Sequence, residues 1–182
     1  MAVSPVAMRY AEALFASAKA GDEVQPTLQH LALLRRLMQE QPLLREFFLN
    51  PDVDPDDKVA LLDKVTRKSW TELVRAFMRM LTAVYRAELL VEIAEAFESL
   101  VDKDERRVHA VVRSARKLPT ETVKRLKTVL EKREGKTVLL SEETDPSLLG
   151  GLQVFIENRV IDGSIRRQLT ELRSQLRGVS VA

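Results

Sequence analysis

Asp52, Asp54, Asp56 and Asp57, interrupted by Val53 and Pro55, are the densest group of potential ligands in this chain of 182 residues. Alternating acids open an EF-hand calcium loop, but that loop needs glycine at its sixth position and a bidentate glutamate at its twelfth. Counted from Asp52, those positions hold Asp57 and Asp63, and Pro55 stiffens the middle. Acids placed there suit a helix N-terminus, where they complement the helix dipole. His30 and His109 are the only histidines. Neither has an acid or hydroxyl at the spacing of a triad or a metal set, so each is expected to be structural. The absence of cysteine excludes disulfides, thiolate metal sites and cysteine nucleophiles. Gly150-Gly151 invites a phosphate-binding reading, yet the pair precedes a strand instead of opening a helix, so neither the dinucleotide fingerprint nor the P-loop is met. No catalytic pair of carboxylates stands out, and no metal or cofactor is expected. The weight therefore moves from catalysis to binding.

Two kinds of surface could bind. The helix following Trp70 carries Leu73, Phe77, Leu81 and Val84 as a core stripe, and also Val74, Ala76, Met78, Met80 and Ala83. It is apolar over a wider arc than one neighbour covers. Ala76, Met80 and Ala83 fall on one face at i, i+4 and i+7. In the first helix Tyr10 and Ala13 share a face, and the many alanines there allow close approach. Two such faces side by side would form a groove for an amphipathic helix, the alternative being ordinary bundle core. The second surface is electrostatic. Residues 1–105 hold 13 basic and 18 acidic side chains, whereas residues 106–182 hold 16 and 9. A net charge of +2 thus conceals an acidic half and a basic half. The basic half, with Arg106-Arg107, Arg116-Lys117, Lys124-Arg125 and Arg166-Arg167, supports an alternative reading as a nucleic-acid-binding adaptor. It has a single aromatic, Phe155, and hence no stacking platform, so a solvated face or an acidic protein partner fits better.

The elements that position these residues follow from caps and periodicity. Ser4-Pro5 starts a helix that runs to about Ala20 and stops at Gly21. Gln25-Pro26 starts another, with Leu28, Leu31, Leu34 and Met38 on one face. Leu43 to Leu49 forms a short helical turn closed by Asn50-Pro51. Asp54-Pro55 caps a helix carrying Val59, Leu62 and Val65. Ser69-Trp70-Thr71-Glu72 reads as a capping box with Ser69 as the cap. After a break near Tyr85-Arg86 a further helix carries Leu90, Ile93, Phe97 and Leu100. Six helices with short links predict a compact helical bundle.

Beyond Asp104 the pattern becomes mixed. Val108, Ala110 and Val112 alternate like a strand, Val123, Leu126 and Leu130 mark a helix ending at Gly135, and Thr137 to Leu140 is a short β-prone run. Leu152, Val154 and Ile156 alternate with Gln153, Phe155 and Glu157, Asn158 suits a hairpin turn, and Val160-Ile161 returns as the partner strand. Ser164 caps a last helix with Ile165, Leu169, Leu172 and Leu176 at helical spacing. The expected fold is mainly α: a six-helix bundle over residues 1–105, then a smaller α+β domain over 106–182. No run approaches the roughly 20 apolar residues that span a bilayer, so a soluble, cytoplasmic protein is expected.

The stretch from Gly150-Gly151 through Val160-Ile161-Asp162-Gly163-Ser164-Ile165-Arg166-Arg167-Gln168-Leu169 resembles the C-terminal signature of the delta subunit of bacterial F-type ATP synthases, a family similar to the mitochondrial oligomycin sensitivity-conferring protein. Arg9-Tyr10-Ala11-Glu12-Ala13-Leu14-Phe15 resembles its opening helix, and Asn50-Pro51 with Lys58, together with Phe77 to Phe97 around Arg86, fits its middle. The resemblance covers nearly the whole chain. It implies a non-catalytic stator subunit, one copy per complex, that reaches the cytoplasmic face of the membrane only through that complex. It implies that the N-terminal helix of an alpha subunit lies between the first and fifth helices, against Tyr10, Ala13, Ala76, Met80 and Ala83. It implies that the C-terminal domain grips the b subunits of the peripheral stalk, with Ile165, Leu169 and Leu172 as the expected contacts. Two departures from the family pattern, Glu157-Asn158 in place of a glycine-aspartate turn and Tyr85-Arg86 in place of asparagine-glycine, bear on local turn geometry.

Overall fold

The computed structural model describes residues 3–65, 70–157 and 159–179, apart from the side chains of Val65 and residues 175–179. The protein is mostly helical, with one small four-stranded sheet among the described residues. It divides into two compact units, Met1–Asp104 and Glu105–Ala182.

The first unit holds α1 (Pro5–Ala20), α2 (Val24–Glu40), α3 (Pro42–Leu49), α4 (Pro55–Val65), α5 (Glu72–Ala83), a 3-10 turn (Ala87–Leu89) and α6 (Leu90–Asp104). Ser4 caps α1, its hydroxyl accepting the Ala7 amide at 3.2 Å, while Pro5 occupies the first helical position where it loses no hydrogen bond. α1 ends in a Schellman arrangement. Glu23 N–H reaches the Ala18 carbonyl, Asp22 N–H reaches Lys19, and the left-handed residue is Asp22, not Gly21. The amphipathic faces of α1 and α2 pack along α6. Ala7, Ala11 and Ala18 are wholly buried on α1, so the backbones can approach, and Phe15 meets Phe97 edge-on at 5.8 Å.

α5 departs from the sequence reading at both ends. Its cap is Thr71, whose hydroxyl accepts the Val74 amide at 3.4 Å; Ser69, the expected cap, lies outside the described residues. Trp70 therefore precedes the helix, buried against His30 with ring centroids 4.9 Å apart. Val74, Phe77, Met78 and Leu81 form the core stripe, whereas Val84, expected in that stripe, follows the last helical residue and is exposed. The helix closes in a second Schellman arrangement, Arg86 N–H to Leu81 and Tyr85 N–H to Thr82, with Tyr85 at a φ of 54°.

The second unit comprises β1 (Arg107–Ser114), α7 (Thr120–Glu134), β2 (Thr137–Thr144), β3 (Leu152–Ile156), β4 (Arg159–Asp162) and α8 (Ile165–Val179). The sheet order is β2-β1-β3-β4, with β1 and β2 parallel and the other pairs antiparallel. α7 makes the crossover that a parallel pair requires. It stops at Gly135, which takes the left-handed conformation. Val108, Ala110, Val112, Val138, Val154 and Ile156 meet Leu130 of α7 in the core. β2 runs four residues beyond the expected Leu140, because its exposed half keeps pairing with β1 as far as Ser114–Thr144. At the β3–β4 turn Glu157 carries the positive φ; Asn158, the residue expected to make the turn, lies outside the described residues.

Candidate functional site

α1 and α5 touch each other in the first unit. On α1 Tyr10 is half-buried and Ala13 exposed. Together with Val6 and Arg9 they line a shallow depression of about 410 Å³. On α5 Ala76, Met80 and Ala83 are exposed at i, i+4 and i+7, Met80 at 39%. The core-facing side of α5 is occupied by Val74, Phe77, Met78 and Leu81, so these three belong to a second apolar face that no described element covers. The structure thus sets two candidate faces on neighbouring helices. It does not close them into one cavity: among the described residues, the walls of the α1 depression come from α1 alone. Val6 and Arg9 are not among the contact residues expected from sequence, although helical periodicity sets both on the face of Tyr10 and Ala13.

The second candidate surface is built by the chain turn that starts α8. Gly151 has a φ of 81°, and a Cβ there would stand 2.3 Å from the Gly163 carbonyl oxygen and 2.9 Å from the Ser164 Cα. The Gly163 amide reaches the Leu152 carbonyl at 2.9 Å, and the Ile165 amide reaches Gly150 at 3.0 Å. The two glycines thus let the start of α8 lie directly on the start of β3, which explains them without a phosphate. Asp162 stiffens the same turn: its carboxylate accepts the Ser164 amide at 2.9 Å and the Gln153 side chain at 3.0 Å. The Ser164 amide, then its hydroxyl, hold the Asp162 carboxyl below its ordinary range. Ser164 also caps α8, accepting the Arg167 amide at 3.2 Å. On the helix so anchored, Ile165, Leu169 and Leu172 are all exposed.

The remaining reactive groups have structural duties. Asp54 caps α4 by accepting the Asp56 amide at 2.8 Å, and Asp56 in turn binds Arg79 of α5 at 2.8 Å. Lys58, only 2% exposed, donates to the Asn50 carbonyl at the end of α3 at 2.7 Å. His109 is exposed on β1. Among the described residues no group of histidines and acids could hold a metal ion, and no helix is long and apolar enough to cross a membrane. The basic second unit is laced with acids: Arg113 pairs with Glu143, Arg159 with Glu134, Lys136 with Glu157 and Arg167 with Glu171. The Arg113 guanidinium also sits 4.8 Å from the centre of the Phe155 ring, where a base would have to stack.

The family described as ATP synthase delta (OSCP) subunit matches residues 6–176. The chain belongs to that family. It is 35% identical to the ATP synthase subunit delta of Lactiplantibacillus plantarum over 94% of each chain. It is 34% identical to that of an Anaeromyxobacter species, covering 97% of this chain and 99% of the relative. It is 31% identical to that of Syntrophus aciditrophicus, covering 95% and 96%. In fold it matches a chain of the Toxoplasma gondii mitochondrial ATP synthase hexamer, with a TM-score of 0.70 at 22% identity, over 95% of this chain and 98% of that one. The family match takes in both candidate surfaces, the α1–α5 faces and the described part of the α8 stripe.

Proposed function

We propose that this delta-family chain is the non-catalytic stator linker of a proton-translocating F-type ATP synthase. It ties the catalytic head to the peripheral stalk so that rotor torque drives ATP synthesis instead of turning the head. One copy serves each complex, at the cytoplasmic face of the membrane, held there through its partners. The helical unit of residues 1–105 is a bundle that receives the N-terminal helix of an alpha subunit across α1 and α5, against Tyr10, Ala13, Ala76, Met80 and Ala83. The unit of residues 106–182 meets the b subunits through α8.

The observation that carries this reading is the family match over residues 6–176. The exposed apolar faces on α5 and α8 support it, because a linker needs two adhesive surfaces and no reactive centre. A stator contact must also resist torque, and nanomolar affinity corresponds to about 12 kcal/mol. Helix-in-groove burial is of that order when ordering the partner helix does not consume the gain. Gentle extraction of membranes with an affinity handle on this chain tests the assignment. Recovery of the ATPase catalytic subunits and the b subunits is expected, and their absence from the eluate would refute it.

A further inference from the structure

α8 leaves its own unit almost bare. From Ile165 to Ser174 every side chain on it is exposed, including Ile165 at 43%, Leu169 at 54% and Leu172 at 53%. The spacing from 165 to 169 to 172 is four then three, and Leu176 continues it in the sequence by four. Over these twelve residues that alternation fits the d-a-d-a seam of a heptad repeat, a seam narrower than the stripe with which a helix covers a globular core. The flanks follow from the same register. Arg166 and Arg173 fall at e positions, Gln168 and Gln175 at g, while Arg167 and Glu171 fall at f and c on the far side. Glu171, the only acid on this helix, is held there by Arg167 at 2.7 Å. Arg166 donates to the Ser147 carbonyl, and Arg173 forms no ion pair among the described residues.

We propose that α8 is one strand of a two-helix coiled coil whose other strand is an acidic, heptad-patterned helix from a different chain. Apolar knobs of that helix fill the holes around Leu169 and Leu172, and its carboxylates lie against Arg166 and Arg173. A second copy of α8 offers no such carboxylate, since Glu171 points away from the seam and is already engaged. Antiparallel self-pairing would bring the arginine positions together. The inference rests on the reading that the second unit faces the stalk, and it specifies the chemistry by which the stalk chain is recognised.

The test uses the full chain and its Leu169→Asp and Arg173→Glu variants, both at exposed positions, with circular dichroism as the check on folding. Three probes are titrated: the soluble part of the b subunit, a synthetic heptad peptide with leucine at a and d and glutamate at e and g, and the same peptide with lysine at e and g. The b subunit and the glutamate peptide should bind the wild-type chain and the lysine peptide much less. Leu169→Asp should weaken binding about 30-fold or more, and Arg173→Glu about tenfold, with the loss reversed for the lysine peptide. If the b subunit binds wild type and both variants equally, the coiled coil is wrong and the stalk reading survives. If the b subunit does not bind, the stalk reading fails, and the glutamate peptide alone decides the coiled coil, its failure to bind overturning it. Equal binding of the two peptides, or self-association of the wild-type chain that Leu169→Asp abolishes, also overturns it.

Discussion

The backbone amide of Ser4 donates to the carboxylate of Glu92 at 3.0 Å, across 88 residues of sequence. Ser4 is the cap of α1, so the first turn of α6 holds the residue that starts the helix carrying Tyr10 and Ala13. The Ser4 hydroxyl, then its amide, keep the Glu92 carboxyl below its ordinary value of 4.5. A carboxylate with a depressed folded pKa stabilises the fold fully above its unfolded pKa, and that contribution is lost as pH falls through the folded value. Glu92→Gln should therefore be less stable than wild type at neutral pH, with the gap narrowing as pH drops below 4.5. Urea midpoints of both proteins across that range check it; a gap independent of pH would show that the charge is irrelevant.

Gly151→Ala should destabilise the second unit by roughly 2–4 kcal/mol, because a methyl group would strike the Gly163 carbonyl and the backbone stays at positive φ. Hydrogen exchange locates the damage: amides of β3, β4 and the start of α8 should lose protection, while those of α1 to α6 keep theirs.

Tyr85→Gly should stabilise the chain by about 0.5–1 kcal/mol. A left-handed conformation at a side chain with a Cβ costs about 1–2 kcal/mol, and glycine's extra unfolded-state entropy returns part of the gain. Tyr85 is 69% exposed, so its removal forfeits little packing. The thermal midpoint reads the change, and a fall would mean that the tyrosine ring makes a larger contribution than its exposure implies.

Lys58→Ala should cost about 2–3 kcal/mol, since a charged donor to the last turn of α3 disappears from a buried site. Lys58→Met, which keeps the stem, separates the two contributions: the part it recovers in chemical denaturation is packing, and the remainder is the bond to the Asn50 carbonyl.

Much of the architecture was legible because the relevant signals are local. Ser4 and Ser164 cap the helices they precede, and Val154 and Ile156 are buried as their alternation required. Other features depend on partners far away in sequence. Nothing in Tyr85 announces a positive φ; the Schellman bonds to Leu81 and Thr82 impose it. The outer half of β2, from Ser141 to Thr144, has no alternation, because neither face of it is buried; its ladder with β1 and the Arg113–Glu143 pair hold it. At the head of α5 Ser69 and Thr71 are both credible caps, and tertiary burial of Trp70 against His30 favours the later start. For the candidate surfaces, periodicity gave the faces of Met80 and Leu169. The exposure of Met80 became visible only when the first unit's core had claimed Val74, Phe77, Met78 and Leu81, and that of Leu169 only when Leu130 of α7 and the strands had filled the second.

Met80→Asp should weaken binding of an alpha-subunit N-terminal peptide by roughly 30- to 150-fold, corresponding to about 2–3 kcal/mol for an unpaired charge in an apolar contact. The substitution replaces an exposed side chain, so the fold should persist. Unchanged affinity in a calorimetric titration would remove α5 from the contact.

The linking role is tested most directly by sedimentation of the full chain with the catalytic head and the soluble part of the b subunits together. One ternary species containing a single copy of this chain, absent when the chain is omitted, is the expected result. Mutual displacement of the head and the b subunits from the chain would contradict a linker.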